Sequence, residues 1–183
     1  MKAGPVALIG RPNAGKSTLL NRLVGEKVAI TSDKPQTTRT RILGVRNAPG
    51  GQTVFVDTPG VHKPTHRMNV RMVDAALDAM REVDAVVLVV DASATPGTGD
   101  RFMLDRVAGL TTPVFLVLNK VDAITKTSLL PLIDSYRQQM AFREIMPLSA
   151  LDGTNVEELA AALLEALPDG DPLYPEDYLT DQQ

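Results

Sequence analysis

Eight residues, Gly10-Arg11-Pro12-Asn13-Ala14-Gly15-Lys16-Ser17, constrain this chain more than any other stretch. They fit the pattern G-x-x-x-x-G-K-[S/T], in which each fixed position answers a physical need. A loop that wraps an anion must turn successive backbone N–H groups inward, which glycine permits. A helix that follows aims the positive end of its dipole at the same point. The surroundings suit this reading. Val6 to Ile9 leads in as a buried strand, and Thr18-Leu19-Leu20-Asn21-Arg22-Leu23 leads out with apolar residues at helical spacing towards a stop at Gly25. Asn13, Ala14, Gly15, Lys16, Ser17 and Thr18 are therefore the candidate phosphate-loop residues. Lys16 supplies a point charge for the β- and γ-phosphates, and the Ser17 hydroxyl is placed to ligate Mg²⁺. The competing reading is an ordinary glycine turn with a solvated lysine.

Further motifs follow at strand ends. Asp57-Thr58-Pro59-Gly60 closes an apolar strand. A carboxylate there holds Mg²⁺ through water, since Mg²⁺ keeps part of its hydration shell. Gly60 lets its N–H approach a γ-phosphate. Asn119-Lys120-Val121-Asp122 speaks to the base. An ionised aspartate only accepts hydrogen bonds. Guanine offers two adjacent donors and adenine does not, so Asp122 selects guanine. Asn119 supports the purine and the neighbouring loop, and the Lys120 stem covers a base face. Ser149-Ala150-Leu151 reads either as a plain strand-ending turn or as a loop that brings a backbone N–H to the guanine carbonyl oxygen. Thr37 and Thr38 lie in a long polar loop, Lys27 to Arg41. Such loops inside compact domains are usually functional. Thr38 is the preferred third Mg²⁺ ligand, ordering the loop with GTP and releasing it after hydrolysis. Lys16, Thr38 and Gly60 are the candidate catalytic residues, and Ser17, Thr38 and Asp57 the candidate metal ligands.

Between the motifs, apolar strands alternate with helices. Ile42–Val45 and Thr53–Val56 form a hairpin around Pro49-Gly50-Gly51, and Val70 to Met80 repeats at helical spacing. Ala85–Val90 is a continuous apolar run, as a strand covered on both faces requires. Helices are expected over Arg101–Gly109, Leu129–Met140 and from an Asn155 cap to Leu167, and strands over Val114–Leu118 and Glu144–Leu148. The fold class expected is α/β: a doubly wound, mostly parallel six-stranded sheet with one antiparallel strand, in a three-layer sandwich. Its ligand belongs at the carboxyl ends of the strands, where the motifs stand.

The chain has 183 residues, a formal net charge of −3 and no cysteine. The charge points away from a nucleic-acid binder, and the missing cysteines exclude disulfides and thiolate metal sites. The amino terminus runs straight into the first strand, so no signal peptide is expected. No apolar run approaches the roughly 18 residues that a membrane span requires. A cytoplasmic protein, with at most peripheral contact on the inner membrane face, is expected.

The combination resembles the Era-type family of translation-factor-class GTPases, over essentially the whole chain. The phosphate loop, Pro35-Gln36-Thr37-Thr38-Arg39, Asp57-Thr58-Pro59-Gly60-Val61-His62 and the tail Tyr174-Pro175-Glu176-Asp177 carry the resemblance. It implies a GTPase domain over residues 1–168. Residues 169–183 then form a linker towards a KH-type RNA-binding domain that lies outside this sequence. It implies a Mg²⁺-dependent switch that converts GTP to GDP and phosphate in small-subunit assembly. Its partners would be 16S rRNA and the small ribosomal subunit, met mainly through the absent domain, and the protein would be a monomer. Where many GTPases place a water-orienting glutamine, this chain has Val61. His62 and His66 are nearby candidates, though solvated loop histidines explain them as well. Asn13 matches an asparagine that helps hold K⁺ in potassium-activated relatives; a turn-forming role is the alternative. Two rival functions stand beside this one. One is a GTP-dependent docking module with negligible hydrolysis until a partner activates it. The other is the GTPase domain of a related tRNA-modification or iron-transport protein, which the tail argues against.

Overall fold

The computed structural model describes residues 1–11, 13–25, 41–57 and 77–175. Its centre is a six-stranded sheet: β1 (Lys2–Gly10), β2 (Arg41–Ala48), β3 (Gly51–Asp57), β4 (Ala85–Asp91), β5 (Val114–Asn119) and β6 (Glu144–Pro147). The spatial order is β2-β3-β1-β4-β5-β6, with every pairing parallel except the β2–β3 hairpin. From β1 the chain goes to one edge for β2 and β3, then crosses to the other side for β4 to β6. The carboxyl end of β1 is thus the switch point where such sheets bind ligands.

Alternation along each strand divides the core between two layers. Val6 and Leu8 of β1, with Ala85, Val87 and Val89 of β4, face the helices α1 (Lys16–Val24) and α4 (Val156–Ala166). Ala7 and Ile9, with Val86, Leu88 and Val90, face α2 (Thr98–Val107), α3 (Lys126–Arg137) and the helical residues 77–81. The apolar run of β4 has no polar phase because both of its faces are covered. Burying each of these valines and leucines stabilises the fold by about 1.5–3 kcal/mol.

Several elements depart from their expected bounds. β1 starts four residues earlier than the apolar run, because Lys2–Pro5 pairs with Gly51–Val54. Pro5 is tolerated inside this central strand. The Ala3 N–H on the flank away from β3 goes to the Pro168 carbonyl, and Pro5 faces that same flank before β4 pairing begins at Val6. The hairpin turn is Pro49-Gly50, with Gly51 already in β3. α3 begins at Lys126 because Thr125 caps it, its hydroxyl oxygen accepting from the Ser128 N–H at 3.3 Å. Asn155 is at the N-cap position of α4, but its side chain does not cap. It donates instead to the Pro147 carbonyl at 2.8 Å. The expected helix over Val70–Met80 falls largely outside the described residues, as do 176–183 of the tail. Among the described residues no helix is long and apolar enough to cross a membrane.

Candidate functional site

The loop after β1 turns sharply. Asn13 and Gly15 both have positive φ, 72° and 96°, and the Ala14 N–H closes a turn on the Arg11 carbonyl at 3.2 Å. Gly15 must be glycine twice over. Its φ is left-handed, and a side chain there would collide with the Asn119 amide. Gly15 is the N-cap of α1 and no side chain caps the helix, so its first-turn N–H groups face the loop as donors for an anion. A cavity of about 450 Å³ opens at this point. Arg11, Lys16 and Lys120 line it with the hydroxyls of Ser17 and Thr18, and among the described residues no acid does. Lys16 is drawn below its ordinary pKa by burial, and the Asp57 charge opposes that shift. A phosphate would favour the lysine's charged form, so the loop fits a polyphosphate.

The second half of the site is joined to the first through Asn119, which is 2% exposed. Its Nδ2 donates to the Ala14 carbonyl at 2.8 Å, and its Oδ1 accepts from the Ala150 N–H at 2.9 Å. One side chain thereby links the phosphate loop to the loop after β6. The Ala150 N–H is engaged by Asn119 here; the sequence reading has this loop offer a backbone N–H to the base without specifying which. Lys120 has a positive φ of 70°. Its Nζ donates to the Asn13 carbonyl and to Asp91 Oδ2, both at 2.8 Å. The ammonium thus braces the phosphate loop. Ser149 Oγ donates to Asp122 Oδ1 at 2.8 Å and fixes that carboxylate.

Asp91 and Arg11 have no place in the sequence reading. Partial burial pushes the Asp91 carboxyl up, but hydrogen bonds from Lys120 and Ser93 hold it below its usual value. Arg11 pairs with Asp100 at 3.2 Å, and Asp100 also accepts from the Gly97 N–H at 3.0 Å. An acidic residue closing β4, as Asp57 closes β3, was the available signal for Asp91. Nothing local marks the Arg11–Asp100 pair.

Asp57 ends β3, and its charge is felt by Lys16. Among the described residues no group of three or more His, Cys, Asp or Glu side chains gathers to hold a metal ion. A divalent cation here would take most of its ligands from phosphate and water, with Ser17 and Asp57 as the protein's share, which suits Mg²⁺. Pro35–Arg39, Thr58, Pro59, Gly60, Val61, His62 and His66 lie outside the described residues. The roles expected of Thr37, Thr38 and Gly60 are therefore without a structural account.

Residues 5–120 match the family described as 50S ribosome-binding GTPase. The chain is 52% identical over 180 residues to GTPase Era of Geobacter metallireducens, covering 98% of this chain and 60% of that protein. An Aquifex aeolicus Era variant bound to GDP.AlF4- superposes with a TM-score of 0.81 at 42% identity, over all of this chain and 63% of the other. Era in complex with MgGDPNP and nucleotides 1506–1542 of 16S ribosomal RNA gives the same score, identity and coverage. The chain spans about three-fifths of the length of the curated relatives it matches.

Proposed function

Since the chain belongs to the 50S ribosome-binding GTPase family, we infer that it binds GTP with Mg²⁺ and hydrolyses it to GDP and phosphate, as the switch domain of an Era-type ribosome-assembly protein. One observation carries the reading: Asn119 ties the phosphate loop at Ala14 to the base loop at Ala150, making one site with two ends. The polyphosphate end is Asn13 to Thr18, and the guanine end is Asn119, Lys120, Asp122, Ser149 and Ala150.

The chain's own residues act by position and charge, with no covalent intermediate. The α1 N–H groups and Lys16 hold the β- and γ-phosphates. Ser17, and Asp57 through water, would hold Mg²⁺, which when bound neutralises charge developing on the phosphate oxygens. Asp122, fixed by Ser149, accepts from the two donors of guanine. Thr38 and Gly60 are proposed to meet the metal and the γ-phosphate. Val61 has no polar group to orient water, so the unassisted rate is slow. K⁺ near Asn13 is proposed to add charge at the β–γ bridge. The positive φ of Asn13 accounts for it equally well as a turn former. Equal rates in KCl and NaCl at matched ionic strength would remove the K⁺ role.

The small subunit is the proposed place of work. The Era complex with 16S rRNA supports this more narrowly than the family description, which names 50S. RNA contact is assigned mainly to the two-fifths of such proteins beyond this chain's match. The domain division at residue 168, a monomeric state and any peripheral membrane contact belong to the same proposal. Single-turnover hydrolysis of GTP, alone and with 30S or 50S subunits, is the test. Slow hydrolysis alone, accelerated by 30S, is expected. Val61 also favours a second reading, a docking module, for which hydrolysis would be undetectable without the subunit. No hydrolysis under any of these conditions would overturn the enzymatic reading.

A further inference from the structure

Arg22 belongs to none of the motifs above. It sits in the last turn of α1, six residues or about 9 Å along the helix from Lys16. Its guanidinium reaches across to the base loop. Nε donates to the Ala150 carbonyl at 3.0 Å, and Nη2 donates to the Leu151 carbonyl. A rigid planar fork on two adjacent carbonyls fixes two successive peptide planes. In a trans peptide the N–H lies opposite the C=O, so the Leu151 and Asp152 amides are turned away from α1.

The consequences can be followed bond by bond. The Asp152 N–H donates to Ser149 Oγ at 3.2 Å, and that hydroxyl donates to Asp122 Oδ1. On the other side, the Ala150 N–H reaches Asn119, and Asn119 reaches Ala14 at the foot of α1. The bonds form a closed ring: α1, base loop, Asn119, phosphate loop, α1. Gly153 leaves room for it, since a Cβ built there would stand 3.1 Å from Arg22 Nη1.

We propose that Arg22 is a positioning residue for base recognition. It acts through the Leu151–Asp152 peptide and Ser149 to hold the Asp122 carboxylate where it accepts from the N1–H and 2-amino group of guanine. The proposal rests on the guanine reading of the site given above. Fixing the base loop to the phosphate helix also means that the two ends of the nucleotide are gripped by one connected unit.

The test is equilibrium binding of GDP and IDP to the full chain and its Arg22 variants, because inosine keeps N1–H but lacks the 2-amino group. The wild-type chain should prefer GDP. In Arg22→Ala, GDP affinity should fall about tenfold, the scale of one lost hydrogen bond to a charged group. IDP affinity should fall less, so the GDP/IDP ratio moves towards one. Arg22→Lys keeps the charge but reaches only one carbonyl at a time, and should give an intermediate ratio. A purely structural role would weaken both nucleotides equally, and an unchanged ratio would overturn the proposal. Should Arg22→Ala fail to fold, the ratio in Arg22→Lys decides in the same way. A wild-type chain that binds GDP and IDP alike would instead overturn the guanine reading itself, and the inference with it.

Discussion

Lys16 is a cation of the phosphate loop whose charged form its own fold disfavours. Burial lowers its pKa from 10.5, while Asp57 pulls it back up. Because the folded value is the lower one, the cost of burying the charge is full below the folded pKa. It is relieved as pH rises towards the unfolded value, so this group makes the free chain more stable with rising alkalinity. A bound triphosphate would favour the charged form and draw the pKa back up. Calorimetry at alkaline pH, in two buffers of different ionisation enthalpy, should therefore show proton uptake on nucleotide binding, and Lys16→Met should abolish it. Equal apparent enthalpies in both buffers would contradict this. Asp91 offers a second residue-level check. Its half-exposed partner Lys120 braces the phosphate loop, so Asp91→Asn should weaken nucleotide binding about three- to tenfold, on the order of 1 kcal/mol after solvent screening. An unchanged Kd would show the brace to be idle. Asn119, Lys120 and Asp122 were legible as a motif, whereas Asp91 was not. It lies 28 residues before Asn119 in the chain, and only the β4–β5 register sets the two side by side.

The elements show where local reading stops. The Gly25 stop follows from residue type, whereas the Thr125 cap, which starts α3 three residues before the apolar pattern, lies outside the sequence reading. Asn155 does not behave as its type suggests, because the Pro147 carbonyl at the end of β6 competes for its side chain, and the backbone takes a left-handed turn at φ 63° to allow it. Asn155→Ala loses that bond and keeps the strained backbone. It should cost about 1–3 kcal/mol and lower Tm by several degrees in thermal unfolding. A Tm within one degree of wild type, about the resolution of such a comparison, would argue against it. Pro131 lies inside α3, where it can donate no backbone hydrogen bond. Pro131→Ala should raise stability by about 1–3 kcal/mol, read as a higher Tm. A lower Tm would mean that the ring's packing outweighs the missing bond.

Over the whole molecule, the mostly parallel sheet was readable because its strands are either apolar throughout or end in a chemically distinctive residue. β4 and β5 are buried along both faces, and Asp57, Asn119 and Ser149 stand at or just past strand tips. The ties that close the site were not readable. Arg22 to the base loop and Lys120 to Asp91 span 128 and 29 residues, and each depends on which helix or strand lies beside which. The start of β1 and the path of residues 168–174 were hidden for the same reason. Buried Gln52 accepts from the Leu173 and Tyr174 amides at 2.8 and 3.1 Å, holding that segment against β3. On the proposed reading all of this architecture serves one arrangement, a phosphate cradle and a guanine-selective carboxylate held in one unit through Asn119. Titration calorimetry of GTP and ATP with Mg²⁺ tests that arrangement most directly. The account predicts that GTP binds tighter than ATP by on the order of 10⁴-fold, as a site built around polar base contacts should. Equal affinity for the two nucleotides, or no binding of either, would contradict it.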